Sequence, residues 1–194
     1  LEILQLPFSG EASVVIPLND GIETIKFNLK GGEGSFDFPM LFAELIEIKS
    51  LTLDGSYSIS GNVLKIQDIN LDFVEGTSIS YKKSPVYHMP LRSFSMKGVY
   101  DGSSGFLNVL SSKIDFDGPS VSVIGILNGL NDNNSINANL NIEATNLTVK
   151  KIETLWPQNY GEEARLWFLS HFPSGYIERL GFEIICSKER DNHT

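Results

Sequence analysis

Two stretches decide the fold: Leu51–Tyr81 (LTLDGSYSISGNVLKIQDINLDFVEGTSISY) and Phe94–Ile124 (FSMKGVYDGSSGFLNVLSSKIDFDGPSVSVI). Laid over each other at an offset of 43 residues, they agree without a gap. Leu53 falls on Met96, Gly55 on Gly98, Tyr57 on Tyr100, Leu64 on Leu107, Leu71 on Ile114 and Phe73 on Phe116. Apolar residues coincide in any two β segments, but a Gly-x-Tyr pair held at one offset is more specific. A unit of this kind cannot bury its apolar face alone and is extended by stacking another copy beside it. The units run over 51–93 and 94–136.

Outward from this pair the same alternation continues. Glu11 to Leu18 places Ala12, Val14, Ile16 and Leu18 on one side, and Ile25, Phe27 and Leu29 alternate with Lys26, Asn28 and Lys30. Period two means a strand with one dry and one wet face. Gly31-Gly32-Glu33-Gly34 reads as a turn. In Phe36–Ile48 (FDFPMLFAELIEI) Leu41, Phe42, Leu45 and Ile46 stand at helical spacing, while Pro39 and the alternation of Ile46 and Ile48 favour a bent strand. The apolar phase shifts by one residue at Gln67-Asp68, as a β-bulge would require. Lys82–Pro90, with two prolines, reads as a loop, and Asn131-Asp132-Asn133-Asn134 as a hairpin tip. Ile136–Ala144 then sets Ala138, Leu140, Ile142 and Ala144 against Asn137, Asn139, Asn141 and Glu143. Leu147, Val149 and Ile152 are expected to continue the sheet. The pattern breaks once, in a helical insert over 157–173. Asn159 would cap it with Glu162 three residues on, and Trp167 and Phe168 would be buried against the sheet. Tyr176–Ile185 returns to strand.

The composition bounds the function classes. The 194 residues carry 15 Lys+Arg against 24 Asp+Glu, a net charge of −9, which argues against nucleic acid or an anionic membrane surface as a partner through charge. The single cysteine, Cys186, excludes an internal disulfide framework and is expected to be partly buried and inert. The chain starts at Leu1 and has neither a signal-peptide pattern nor an apolar run near 20 residues, so it reads as a single segment of a longer protein whose targeting lies elsewhere. No catalytic or metal constellation emerges. His88, His171 and His193 have no partners at ligand spacing, and Asp115-x-Asp117-Gly118 lacks the later ligands of a calcium loop. No enzyme activity and no cofactor are expected.

The informative property is one-sidedness. On the dry side stand Val14, Ile16, Phe27, Leu53, Leu64, Ile69, Leu71, Phe73, Met96, Leu107, Ile114, Phe116, Ala138, Leu140 and Ile142. Two architectures satisfy this: a closed β-sandwich whose dry faces meet, or a long, twisted, mostly antiparallel sheet curved into an open hydrophobic groove. Each inward Leu, Ile or Phe left in water forgoes about 1.5–3 kcal/mol, so an open groove needs a filler. An acyl chain supplies about 0.8 kcal/mol per buried CH₂.

The break around the helix weighs between these. Leu155-Trp156-Pro157, Ala164-Arg165-Leu166-Trp167 and Gly175-Tyr176-Ile177 together resemble the signature of the YhdP branch of AsmA-like proteins. In that family a "Y/LWP … P-x-A-R-x-W … G-x-(I/V)" block follows a run of amphipathic strands. Phe38-Pro39-Met40-Leu41-Phe42 and the Leu-x-Leu-x-Gly of Leu51–Gly55 are also similar to it. Tyr160-Gly161-Glu162-Glu163 stands where the family often has a proline. The resemblance covers about residues 36–185 in pattern, with the specific block at 155–177. It implies an all-β repetitive groove with one short helix, in a periplasmic, inner-membrane-anchored envelope protein of a Gram-negative bacterium. It also implies a role carrying phospholipids between inner and outer membrane, as in the related TamB and bridge-like lipid-transfer proteins. The dry-side residues would then line a track for phospholipid acyl chains. Trp156, Pro157, Ala164, Arg165, Trp167 and Gly175 would form the structural helix motif, and both membranes would be reached through regions outside this segment. The alternative is a structural or assembly module of the envelope with a closed β-sandwich core and a protein partner. A carbohydrate-binding sandwich stands third.

Overall fold

Period-two alternation becomes strand throughout the computed structural model, which describes residues 4–5, 7–15, 23–36, 45–81, 84–131, 136–156 and 161–187. In chain order the strands are β1 (Leu4–Gln5), β2 (Phe8–Val15), β3 (Thr24–Gly31), β4 (Gly34–Phe36), β5 (Ile46–Ser58), β6 (Val63–Phe73) and β7 (Ser78–Tyr81). After them come β8 (Ser84–Pro90), β9 (Ser93–Asp101), β10 (Phe106–Asp115), β11 (Ser120–Asn128) and β12 (Asn137–Thr148). Helices α1 (Val149–Leu155) and α2 (Glu162–His171) precede the final strand β13 (Tyr176–Ser187).

Eleven strands form one antiparallel sheet in the order β2–β3–β5–β6–β9–β10–β11–β12–β13, with β4 and then β1 added along the remaining part of β5. The sheet is curved and not closed: β1 and β2 lie at its edge on one side and β13 on the other. Among the described residues the only other sheet is the two-stranded β7–β8 ribbon, and away from the buried clusters most side chains of the apolar face stay half-buried or exposed. The closed sandwich is therefore not the architecture.

The offset of 43 residues recurs in the geometry of two hairpins, β5–β6 and β9–β10. An extra residue interrupts the register at Gln67 in β6, between Ile66 and Asp68, and at Leu110 in β10, between Val109 and Ser111. The left-handed residue that ends each hairpin turn is Asn62 (φ 50°) in one and Gly105 (φ 67°) in the other. Asparagine and glycine are the residues that tolerate this conformation. The turns also stack: the N–H of Gly102 donates to the Asn62 carbonyl (2.8 Å), and that of Leu130 to the Gly105 carbonyl (3.0 Å).

Apart from Val109, the two buried clusters lie at one end of the apolar face. Ile46, Leu91 and Phe116 are buried together, with Phe36, Phe73, Ile114 and Val121 against them. Beside them Ala144, Leu147 and Ile152 form a second buried cluster, joined by Val121, Trp156, Phe168 and Ile177.

Several expectations change. Ser84–Pro90 is a strand, not a loop; among the described residues it pairs only with β7 in a two-stranded ribbon, where proline's missing N–H can face away from that partner. Val149 and Ile152 do not continue the sheet but lie in α1: their spacing fits a helix face, and the Thr148 side chain caps its first turn by accepting from the Lys151 N–H (3.2 Å). The helix of the insert starts at Glu162, preceded by Gly161 at φ 61° with no side-chain cap. Glu162 and Glu163 supply negative charge to its first turn instead. Asn159, expected to cap it, lies outside the described residues, as do Ile16, Pro39, Pro157 and the bend expected around Phe38.

Candidate functional site

Directly opposed residues of an antiparallel pair send their side chains to the same face, so the register lists what each face carries. One row runs Ala12–Phe27–Gly55–Ile66–Gly98–Val109–Gly125–Leu140–Ile184, across nine strands from β2 to β13. The row on one side of it runs Val14–Ile25–Tyr57–Leu64–Tyr100–Leu107–Leu127–Ala138–Cys186 over the same strands. On the other side lie Leu29, Leu53, Ile69, Met96, Val123, Ile142 and Phe182. A fourth row, Leu51–Leu71–Phe94–Ile114–Val121–Ala144–Leu180, borders the buried clusters. No side chain in these rows is charged.

The face is neither buried nor free. Phe27, Leu53, Leu64, Ile66, Ile69, Met96, Leu107, Leu140 and Ile142 are half-buried by their own neighbours, and in the central rows Val109 is buried together with Gly55 and Gly98. Towards β13 the cover thins, and Leu180, Phe182 and Ile184 are exposed. The glycines shape this surface. The Phe27 ring lies over Gly55, where a Cβ would come within 2.8 Å of it and within 2.6 Å of the Lys65 carbonyl. Gly125 takes φ 143° and passes so close to the Asn139 carbonyl that a Cβ would fall 2.2 Å from it. Missing side chains in β5, β9 and β11 let the sheet bend along one line.

One border of the face is closed by the clusters around Leu91, Phe116 and Ile152, the other by the hairpin tips. There the Tyr57 hydroxyl donates to the Asn62 amide oxygen (2.9 Å) and the Tyr100 hydroxyl to that of Asn131 (2.8 Å). The Asn131 amide then donates to the Gly102 carbonyl (2.7 Å). Both tyrosines thus lay an apolar ring on the dry face and a satisfied hydroxyl at its edge.

The opposite face is mostly polar and internally paired, although Ile124, Ile126 and Ile185 are exposed on it. The Asn28 amide donates to Asp54 (3.3 Å), Ser50 to Asp72 (2.9 Å) and the Asn70 amide to Asp68 (2.6 Å), while Arg179 pairs with Glu143. A depression of about 640 Å³ on this side is bordered by Ser122, Ile124, Asn141, Glu143, Arg179 and Glu183. It does not open from the four apolar rows, although Ile142 and Phe182 reach its floor beside Gly181.

Twelve of the fifteen residues read as dry-side share the apolar face: Val14, Phe27, Leu53, Leu64, Ile69, Leu71, Met96, Leu107, Ile114, Ala138, Leu140 and Ile142. Phe73 and Phe116 belong instead to the packed cluster at its closed end, and Ile114 also touches that cluster. Residues of the same face not singled out include Ile25, Leu29, Ile66, Val123, Leu127, Phe182 and Ile184. All sit at period two, so the same alternation reaches them.

The helix motif divides. The Arg165 guanidinium donates to the carbonyls of Glu153 (3.2 Å) and Trp156 (3.3 Å), tying α2 to the C-terminal end of α1. Phe168 lies against Trp156 (ring centroids 6.3 Å apart) and Phe172 (5.0 Å). The Gly175 carbonyl accepts from the Val149 N–H (3.2 Å). Trp167, expected to be buried, is 57 % exposed and stacks on His171, because the face it shares with Ala164 points away from the sheet. Cys186, expected to be partly buried, is exposed on the end strand.

Among the described residues no group of His, Cys, Asp and Glu could hold a metal ion. Asp117 lies in a turn at φ 45° and pairs with Arg92 (2.7 Å), which raises the Arg92 pKa further. No described helix is long and apolar enough to cross a membrane. Comparison with protein-family models, with curated proteins and with solved structures finds no match to this chain.

Proposed function

We propose that the chain is a segment of a bridge-like lipid conduit of the cell envelope, in which phospholipid acyl chains lie on the apolar face and headgroups stay in water. One observation carries the reading: four uncharged rows cross up to nine neighbouring strands, and among the described residues no further strand of the sheet returns over them and most of their side chains stay half-buried or exposed. Such a surface in water is costly at about 25 cal/mol per Å², and a hydrocarbon chain removes that cost without needing directional contacts. The rows run across the strands, so a chain lying along them meets aliphatic, aromatic or glycine positions at almost every step, and the hydroxyls of Tyr57, Tyr100 and Ser112 are each engaged in a hydrogen bond within the protein. Movement would then be passive partitioning, with no cofactor and no covalent step. The resemblance of the 155–177 block to AsmA-like proteins supports a periplasmic setting and anchorage through regions outside this segment.

The assembly-module reading required a closed core, and the sheet is not closed. The conduit reading is tested by organic extraction and mass spectrometry of the purified chain. It expects phospholipid near one molecule or more per chain. A folded protein that carries none, and takes none up from phospholipid vesicles, overturns it.

A further inference from the structure

The two borders of the apolar face cross the strands and are built differently. At the inner border the segments that follow β6 and precede β9 are tied to the strand ends. The Leu91 N–H donates to the Thr77 carbonyl (2.8 Å), the Arg92 N–H to the Asp115 carbonyl (2.8 Å) and the Phe73 N–H to the Arg92 carbonyl (3.0 Å). The Thr77 hydroxyl donates to the Glu47 carbonyl (3.3 Å). These bonds hold Leu91 with Ile46 and Phe116, and Phe73 and Ile114 pack against the three. The result is a fixed apolar wall. The outer border is polar instead. Tyr57 and Tyr100 turn their hydroxyls to Asn62 and Asn131, and Ser60, Gly61, Ser103 and Ser104 are exposed. Among the described tip residues, 59–62, 102–105 and 129–131, no lysine or arginine stands ready to hold a phosphate. Asp101 beside them is already occupied by Ser103 and Ser104.

The breadth between the borders matches one acyl chain. Tyr57 in the outermost row and Leu51 in the innermost stand six residues apart in β5, about 20 Å at about 3.3 Å per residue. One leaflet of a bilayer gives its tails about 15 Å. A tail lying along the strands therefore spans the face once, with its head at the wet tips and its methyl end at the wall. Movement from strand to strand then runs along the rows. We infer that the wall of Leu91 and Phe116 is a ruler: the face takes lipids head outward and selects them by acyl-chain length, not by headgroup charge. The inference rests on the conduit reading. Carbons within the span replace water on Leu, Ile and Met side chains, and carbons beyond it meet the wall and gain nothing.

Equilibrium binding of lysophosphatidylcholines of about 10 to about 22 carbons, measured on the purified chain below their micelle-forming concentrations, tests it. Affinity is expected to rise about fourfold per carbon and to level off near about 16 carbons. Ile69→Trp, or Leu53→Trp beside it, places bulk in the row before the innermost and should move the break to tails about five carbons shorter. Lys113→Trp, on the polar face, should leave it in place; circular dichroism confirms that each variant stays folded. Lysophosphatidylglycerols should break at the same length. A rise without a break, a break that neither inner-row tryptophan moves, or one that shifts with the headgroup overturns the ruler and leaves the conduit standing. No binding at any length overturns both.

Discussion

Gly55, Gly98 and Gly125 stand in one row of the sheet, yet the structure uses them differently. At Gly98 a Cβ would come 2.8 Å from the Asn108 carbonyl and 3.2 Å from the movable Met96 methyl, with an ordinary backbone angle. At Gly125 the conflict with Asn139 is closer and φ is 143°. Gly125→Ala is therefore expected to cost about 2–3 kcal/mol and Gly98→Ala clearly less, measured by urea denaturation. Equal costs would mean that the row is not bent as described. Asp101 offers a test by pH. Its carboxylate accepts from the Ser104 hydroxyl (2.8 Å) and from the N–H groups of Ser103 (2.8 Å) and Ser104 (3.4 Å), which holds its pKa below the usual carboxylate value. A lowered native pKa contributes stability above the unfolded value, about 3.9, and loses it as pH falls through the native one. Asp101→Ala should lower Tm at pH 7 and converge with the wild type under strong acid. A difference that persists unchanged at low pH would assign the effect to something other than this charge.

The elements were legible in the sequence to unequal degrees. Wherever alternation ran for six residues or more, as in Ile136–Ala144, a strand formed. The phase change at Gln67-Asp68 marked a bulge that is present. Val149 and Ile152 were read as strand because a spacing of three fits either period over so short a stretch; Thr148, which could cap a helix, was the cue that separates them. Trp167 shows the limit for side chains. Ala164, Trp167, Phe168 and His171 share a helical stripe, but only tertiary contact decides which part of α2 faces the sheet, and it chose Phe168. Trp167→Ala should accordingly cost under about 1 kcal/mol and Phe168→Ala about 2–3 kcal/mol in thermal or chemical denaturation. Arg165→Ala, which frees two carbonyls at the end of α1, should cost about 1–2 kcal/mol. The reverse order for the two aromatics would show that α2 packs through its other face.

At the scale of the whole molecule, the alternation admitted both a sandwich and an open groove, because both need one dry face per strand. Whether two dry faces meet depends on how the chain turns between strands, and here consecutive hairpins keep adding to one sheet rather than returning across it. What fills the apolar face is best tested on neighbouring residues, which act as their own control. A photo-crosslinking amino acid at Ile69 or Leu140 projects onto the apolar rows, and the same group at Asn70 or Asn139 projects onto the polar face. In cells, the account predicts capture of phospholipid at Ile69 and Leu140 and none at Asn70 and Asn139. Capture at both pairs, or at neither, would contradict it.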